Sequence, residues 1–225
     1  MFKRVAAHFL AHAETARCPT VEVITYNNGK AKLPLEIQAA RLGLTLHVVA
    51  RDFHPWSWVA KITEPKKCLE HLYSPEQMVL LADGNDTIFT RAPGVEEIKG
   101  ILRFYGSPSV LFCPTSADWP PNEACRQFER RLSTSSTPHL SAGAYVGTVQ
   151  GILAGMEWIE KRRSRGWLKY RGKFDDQLSW RRAHRLLHPK LQIDTEGLLF
   201  ARFDHRFLRS LEAGGSSWEK ALGLK

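Results

Sequence analysis

The strongest constraint on this chain is the alternation of strand-like and helix-like runs between Val21 and Ala82. Val21-Glu-Val-Ile-Thr-Tyr26 is a β-branched run that stops at Asn27-Asn28-Gly29, a strand followed by a turn. Pro34 to Gly43 reads as a helix: Leu33, Ile37 and Ala40 recur at helical spacing, and Gly43 stands where a C-terminal cap belongs. Leu44 to Ala50 reads as a second strand, about Glu64 to Leu72 as a second helix, and Met78-Val-Leu-Leu-Ala82 as an apolar third strand. A β-α-β-α-β order implies parallel strands joined by right-handed crossovers, with a ligand site at the carboxyl ends of the strands.

The second half is less regular. Pro93 to Tyr105 reads as a helix, Ser109 to Cys113 as a buried strand, Pro114 to Asn122 as a loop, and Ser133 to Pro138 as an exposed loop. A small-residue strand over Ser141 to Gly147 precedes a helix from Thr148 to about Arg163, and a further helix spans Asp175 to Leu187. Paired short strands are expected at Leu191 to Asp194 and Leu198 to Phe203. With no internal repeat and no long linker, residues 1–225 are expected to form a single α/β domain around a mixed central sheet.

At 225 residues, 43% hydrophobic and 24% charged, the chain is large enough to bury its own core, which excludes wholesale disorder and fibrous repeats. Its four cysteines are far apart without a C-x-x-C pair and read as reduced thiols. Met1 to Leu10 is broken by Lys3, Arg4 and His8, and no later run approaches the roughly 20 apolar residues of a membrane span. The expectation is a cytoplasmic protein with no signal peptide and no membrane partner.

Charge is unevenly placed. The segment Lys161 to Lys190 holds eleven Lys and Arg against Asp175 and Asp176, which accounts for the whole net charge of +9. Such a stripe suits a polyanionic partner, although a charge run is also what a solvated helix face presents.

Three constellations can carry chemistry. Asp83-Gly84-Asn85-Asp86 follows the apolar strand, so its two carboxylates are placed to face a hard divalent cation; the same residues also suit a tight turn. Asp175-Asp176-Gln177 opens a helix, as capping acids do, yet lies inside the basic stripe, which should depress the proton affinity of both acids. Ser141-Ala-Gly143 lacks bulk, so a ligand can approach the backbone, or a sheet and a helix can pack closely.

Together these motifs resemble the glycosyltransferase domain of the procollagen lysyl hydroxylase family, a nucleotide-sugar-binding fold of the GT-A (Rossmann-like) type. The matching stretches follow the family order: Val23-Ile-Thr25, Lys61 with Lys66-Lys67, Asp83-x-x-Asp86 with Thr87-Ile-Phe89, Leu111-Phe112 through Trp119-Pro120, Leu140 to Gly147, Asp175 to Leu178, and Leu191 to Asp194 before Leu198-Leu-Phe200. The resemblance implies Mn2+ (or Mg2+) on Asp83 and Asp86, bridging the diphosphate of a UDP-sugar. It further implies that Thr25 borders the uridine, that Lys61 reaches the diphosphate, and that Gly84 and Asn85 face the donor. Asp175 and Asp176 would face the sugar and acceptor as catalytic residues. Trp119, Ser141 and Gly143 would line the acceptor side.

The family's histidine metal ligand, in a C-terminal His-Gly-Asn-Gly motif, has no counterpart here, so His205 or an acceptor-side water is the expected substitute. Glu64 stands where the family has an aromatic, which leaves nucleotide stacking to Tyr26, Trp56 or Trp58. Without a hydroxylase domain and with the +9 stripe, the chain is more similar to small related transferases that glycosylate hydroxymethylated pyrimidines in DNA. The expectation is a metal-dependent transferase moving a sugar from a UDP-sugar to 5-hydroxymethylcytosine or 5-hydroxymethyluracil in DNA, with Arg162, Arg163 and Arg165 bordering the acceptor cleft. The alternatives are a hydroxylysine or other protein glycosyltransferase, and an inactive nucleic-acid-binding module.

Overall fold

The structure, a computed structural model, describes residues 20–85, 87, 89 and 91–201. Its first half is β1 (Glu22–Tyr26), α1 (Pro34–Leu42), β2 (Leu46–Val49), α2 (Ala60–Leu72) and β3 (Met78–Ala82). β1 pairs in parallel with β2 on one side and β3 on the other. The chain thus steps outward and returns across β1, sending α1 and α2 to opposite faces and leaving a crevice between the ends of β1 and β3. α1 has Pro34 in its first turn and closes on Gly43 at φ 65°, a left-handed conformation glycine adopts without strain.

The second half comprises α3 (Val95–Phe104), β4 (Val110–Thr115), α4 (Glu123–Leu132), β5 (His139–Thr148), α5 (Val149–Glu160), a 3-10 turn at Gly166–Leu168, β6 (Lys169–Tyr170), β7 (Lys173–Phe174), α6 (Asp176–Leu187) and β8 (Leu191–Ile193). β5 runs antiparallel between β3 and β4, and β8 extends the sheet in parallel with β4. The result is an α/β fold with a mixed six-stranded sheet in the order β2-β1-β3-β5-β4-β8.

Side-chain alternation along β3 explains why that strand is apolar throughout. Val79 and Leu81 join Ile62, Leu69, Ile152, Met156 and Trp180 from α2, α5 and α6 on one face. Met78, Leu80 and Ala82 join Leu35, Ala39, Ile98 and Leu102 from α1 and α3 on the other. A strand covered on both faces has no solvated side to mark with polar residues.

Three features differ from the sequence expectations. α2 starts at Ala60, before the expected Glu64, because Pro65 lies inside the helix and not in its first turn. α4 occupies the stretch between the two expected loops, for which no element is expected from the sequence; its buried stripe contains Glu129, a charge that breaks the apolar pattern. Among the described residues the expected strand pair near the end does not form. β8 pairs with β4, and the N–H groups of Leu198, Leu199 and Phe200 donate to the buried Asp194 carboxylate at 2.9, 2.7 and 2.7 Å. Among the described residues no helix is long and apolar enough to cross a membrane.

Helix packing on the larger core face depends on Gly155 of α5. A Cβ there would lie 2.5 Å from the Trp180 ring, itself wedged against Phe112 and Tyr145 with ring centroids 5.1 and 5.2 Å away. Gly155→Val is therefore expected to destabilise the protein by about 1–3 kcal/mol through overpacking. Urea unfolding followed by tryptophan fluorescence measures this; an unchanged midpoint refutes the packing assignment.

Candidate functional site

A cleft of about 970 Å3 opens where β3 and β4 end and β5 begins, with α2 and α6 presenting their first turns to it. A bulge in β5 shapes its floor. Phe112 of β4 faces Tyr145, but Cys113 faces Ser141, so Ala142, Gly143 and Ala144 are extra residues opposite β4. The Gln177 side chain plugs the displaced backbone: its oxygen accepts from Ala142 N at 2.6 Å and its amide donates to the Leu140 carbonyl. Gly143 in turn accepts a 2.7 Å hydrogen bond from Asp83 N, and a Cβ at Gly143 would stand 3.5 Å from Asp83 Oδ2. A side chain at position 143 would enter the space before that carboxylate.

Lys61, from the first turn of α2, reaches into this space. Its Nζ lies 2.8 Å from Asp83 Oδ1 and 2.9 Å from Asp176 Oδ2, and its side chain is only 7% exposed. Burial alone would lower the proton affinity of the ammonium; the charges of Asp176 and Asp83 outweigh it and hold Lys61 above the ordinary lysine value. The rings of Tyr26 and Trp58 lie 5.5 and 5.6 Å from Nζ. Residues from three separate sequence motifs thus meet at one point.

The neighbouring acid has a different place. Asp175 caps α6, its Oδ1 accepting from Leu178 N at 2.7 Å. Burial raises its carboxyl pKa, contrary to the depression expected from the basic stripe. Only part of the stripe comes near it: Arg171 and Lys173 line the same cleft, but Arg181 is fully buried elsewhere, and Arg162, Arg163 and Arg165 are not among the cleft residues. Arg162 instead lines a separate groove with Ser109, Lys190 and Leu191, at the opposite ends of β4 and β8, while Arg163 and Arg165 are exposed beyond the end of α5. The structure thus does not bring these three arginines to an acceptor site in the cleft.

Ser141, Gly143, Asn85 and Trp119 all line the cleft. Thr25 is buried and donates to the Ala82 carbonyl at 2.8 Å, bridging β1 to β3 beneath the site. Tyr26 is buried with its hydroxyl 3.3 Å from that of Tyr145, so of the expected stacking aromatics only Trp58 lines the cleft, with Trp56 edge-on to it at 6.2 Å. Gly84 is pressed against α1: a Cβ would lie 2.4 Å from Leu33 Cδ1. Asp86 and His205, the other expected metal ligands, lie outside the described residues.

Sequence reasoning missed the wall of the cleft that faces Trp119. The β6–β7 hairpin turns through Arg171 and Gly172, at φ 50° and 79°, and presents Arg171 and Lys173 to the cleft beside Tyr170. Tyr170 meets Trp119 edge-on at 5.1 Å. Trp119 belongs to a loop clamped by the fully buried Arg181, which donates to Asp118 at 2.7 Å, to the Pro120 carbonyl at 2.8 Å, and bidentately to Glu129 at 3.0 and 2.7 Å. His139 bonds the same Glu129 at 2.7 Å. The positive φ at Arg171-Gly172 is signalled only by a lone glycine, and the clamp joins residues far apart in sequence.

Asp83 and Asp176 offer carboxylate oxygens, the ligand type of hard divalent cations, and both face the Lys61 ammonium. Among the described residues no three His, Cys, Asp or Glu side chains gather as a metal cage.

Two expectations follow from this geometry. Asp175→Asn keeps an oxygen for the cap and removes a carboxylate whose ionisation opposes folding as pH rises through its raised pKa, so stability at pH 7 holds or increases; Asp175→Ala loses about 1 kcal/mol. Arg181→Leu leaves Glu129 buried without its main partner and is expected to cost about 3–5 kcal/mol. Chemical unfolding at pH 5 and pH 7 checks both. No model of a known protein family matches this sequence and no curated protein matches it, so the functional reading starts from the cleft itself.

Proposed function

We propose that the protein is a glycosyltransferase of the GT-A type that moves a sugar from a UDP-sugar to a hydroxyl of a hydroxymethylated pyrimidine in DNA. The observation that carries this reading is Lys61 held between Asp83 and Asp176 at the mouth of the β1–β3 crevice. Glycosyl transfer breaks the bond between the sugar C1 and the diphosphate oxygen and joins C1 to the acceptor oxygen, whose proton must leave. A fixed ammonium beside the first turn of α2 suits the diphosphate, because cation and helix N-terminus both favour the negative charge that develops there. In this reading Asp176, across the ammonium from Asp83, orients the acceptor hydroxyl and takes its proton; its position lining the cleft supports that role. Mn2+ held on Asp83 would supply further charge stabilisation for the departing nucleotide.

The acceptor wall favours nucleic acid over a protein side chain. Trp119 and Tyr170 offer aromatic faces or edges, and Arg171 and Lys173 add two cations with no ion pair to any described residue. Aromatic groups interleaved with cations are what a base and its flanking phosphates require.

The test is incubation with duplex DNA containing 5-hydroxymethylcytosine or 5-hydroxymethyluracil, Mn2+ and a panel of UDP-sugars, followed by mass spectrometry of the nucleosides. Addition of a sugar to the modified base is expected. Asp176→Asn should lower turnover by about 10²–10⁴-fold with UDP affinity retained. Transfer only to hydroxylysine peptides would replace the acceptor, and absence of both UDP binding and UDP release would remove the enzyme reading.

A further inference from the structure

The basic stripe divides three ways in the fold. Arg181 is buried in its clamp, Arg171 and Lys173 line the cleft, and most of the remainder collects around the ends of α5 and α6. There Arg162, Arg163, Arg165, Arg182, Arg185 and Lys190 form no ion pair with any described residue. Elsewhere Lys61, Lys66, Lys67, Arg91, Lys99 and Arg126 each have a carboxylate partner, whereas Lys30, Lys32, Arg103, Arg130 and Arg131 have none among the described residues, so a missing partner marks this end only together with the stacking of its arginines. An uncompensated group of cations is costly by self-repulsion unless an anion meets it.

The arginines are also pre-shaped. Arg162 stacks over Trp158 at 4.5 Å and Arg182 over Trp167 at 5.2 Å, and the two indoles meet edge-on at 5.6 Å. Stacking holds each guanidinium plane in place, which reduces the ordering cost of engaging a phosphate. A groove of about 370 Å3 lies beside them, with Lys161, Arg162 and Lys190 on its rim and Glu157, partner of Lys161, as its one acid. The Nε of Arg182 is buried without a hydrogen-bond partner.

We propose that this α5–α6 end is a second nucleic-acid-binding surface, separate from the cleft, which takes the phosphate backbone of duplex DNA. Five of the six unpaired cations are arginines, whose forked N–H edges match phosphate oxygens. Both tryptophans are covered by guanidiniums, so the surface grips backbone instead of stacking bases or entering a membrane. α6 links the two regions: its first residue, Asp176, holds Lys61, and its last, Leu187, lines the groove. Twelve residues of helix place them about 18 Å apart, so a bound duplex has to extend several base pairs from one to the other. This surface does not depend on the transferase reading, since it requires no donor and no modified base.

The test is fluorescence anisotropy of the full chain with an unmodified 20-base-pair duplex across a salt series, without nucleotide-sugar. The double variant Arg163→Glu/Arg165→Glu changes two exposed residues, and an unchanged melting temperature confirms that it folds. Its log-log salt slope is expected to fall by up to about 1.8, and its affinity near 50 mM salt by at least about tenfold. Equal binding by wild type and variant, or loss of binding only in Arg171→Ala/Lys173→Ala, would place the duplex on the cleft alone and overturn the proposal. Binding of wild type to phosphatidylserine vesicles but not to the duplex would overturn it also. Because the readout is binding to unmodified DNA, failure of glycosyl transfer leaves this result intact.

Discussion

The ammonium of Lys61 is the interaction on which the cleft depends. It joins the first turn of α2, the end of β3 and the start of α6. A buried lysine is unfavourable by itself, and two buried or half-buried carboxylates beside each other repel; together they settle into one compensated cluster. The Gly143 backbone adds the fourth element by accepting from Asp83 N, so the β5 bulge is locked to the same carboxylate. Side chains at the site are fixed by their neighbours before any ligand arrives, which is the condition for electrostatic preorganisation.

The first half of the fold is legible in the sequence because strand and helix periodicities there are uninterrupted and each crossover helix is apolar on one face. β3 could be bounded to the residue, since it is buried on both sides and flanked by polar turns. The second half is harder because charged residues occupy buried positions. Glu129 and Arg181 are inside the protein, so α4 loses its apolar stripe and the cationic stripe is overcounted as surface. Long-range satisfaction hides the rest: Asp194 reads as the end of a strand, but its carboxylate binds three N–H groups of the following loop and the Tyr105 hydroxyl at 2.8 Å. Lys61, Asp83 and Asp176 are recoverable from motif order, whereas the plug role of Gln177 requires knowing where β5 bulges.

Buried polar groups in this protein serve the loops more than the sheet. Arg181 ties the Asp118–Pro120 loop to α4, Asp194 ties residues 198–200 to β8, and Gln177 ties the β5 bulge to α6. Each is a side chain in or directly after a regular element satisfying backbone that has left regular pairing, as buried amides and carbonyls demand. All three tethered segments line the cleft. Irregular backbone provides its shape, and the rigid sheet beneath provides its position.

The β6–β7 hairpin contrasts with this tethering. It has two residues per strand, pairs among the described residues only with itself, is closed at its base by the Asp175 N–H to Leu168 carbonyl bond at 3.3 Å, and meets the body through Tyr170 on Trp119 and Phe174 on the core. The ion pairs of Lys61 with Asp83 and Asp176 do not pass through it. Replacement or lengthening of its turn therefore alters the wall of the cleft while the registers of β3, β4 and β5 stay as they are. A lineage built on this scaffold has a hinge of divergence at this hairpin: what is admitted at the cleft can change by insertion there, with the charged centre inherited intact.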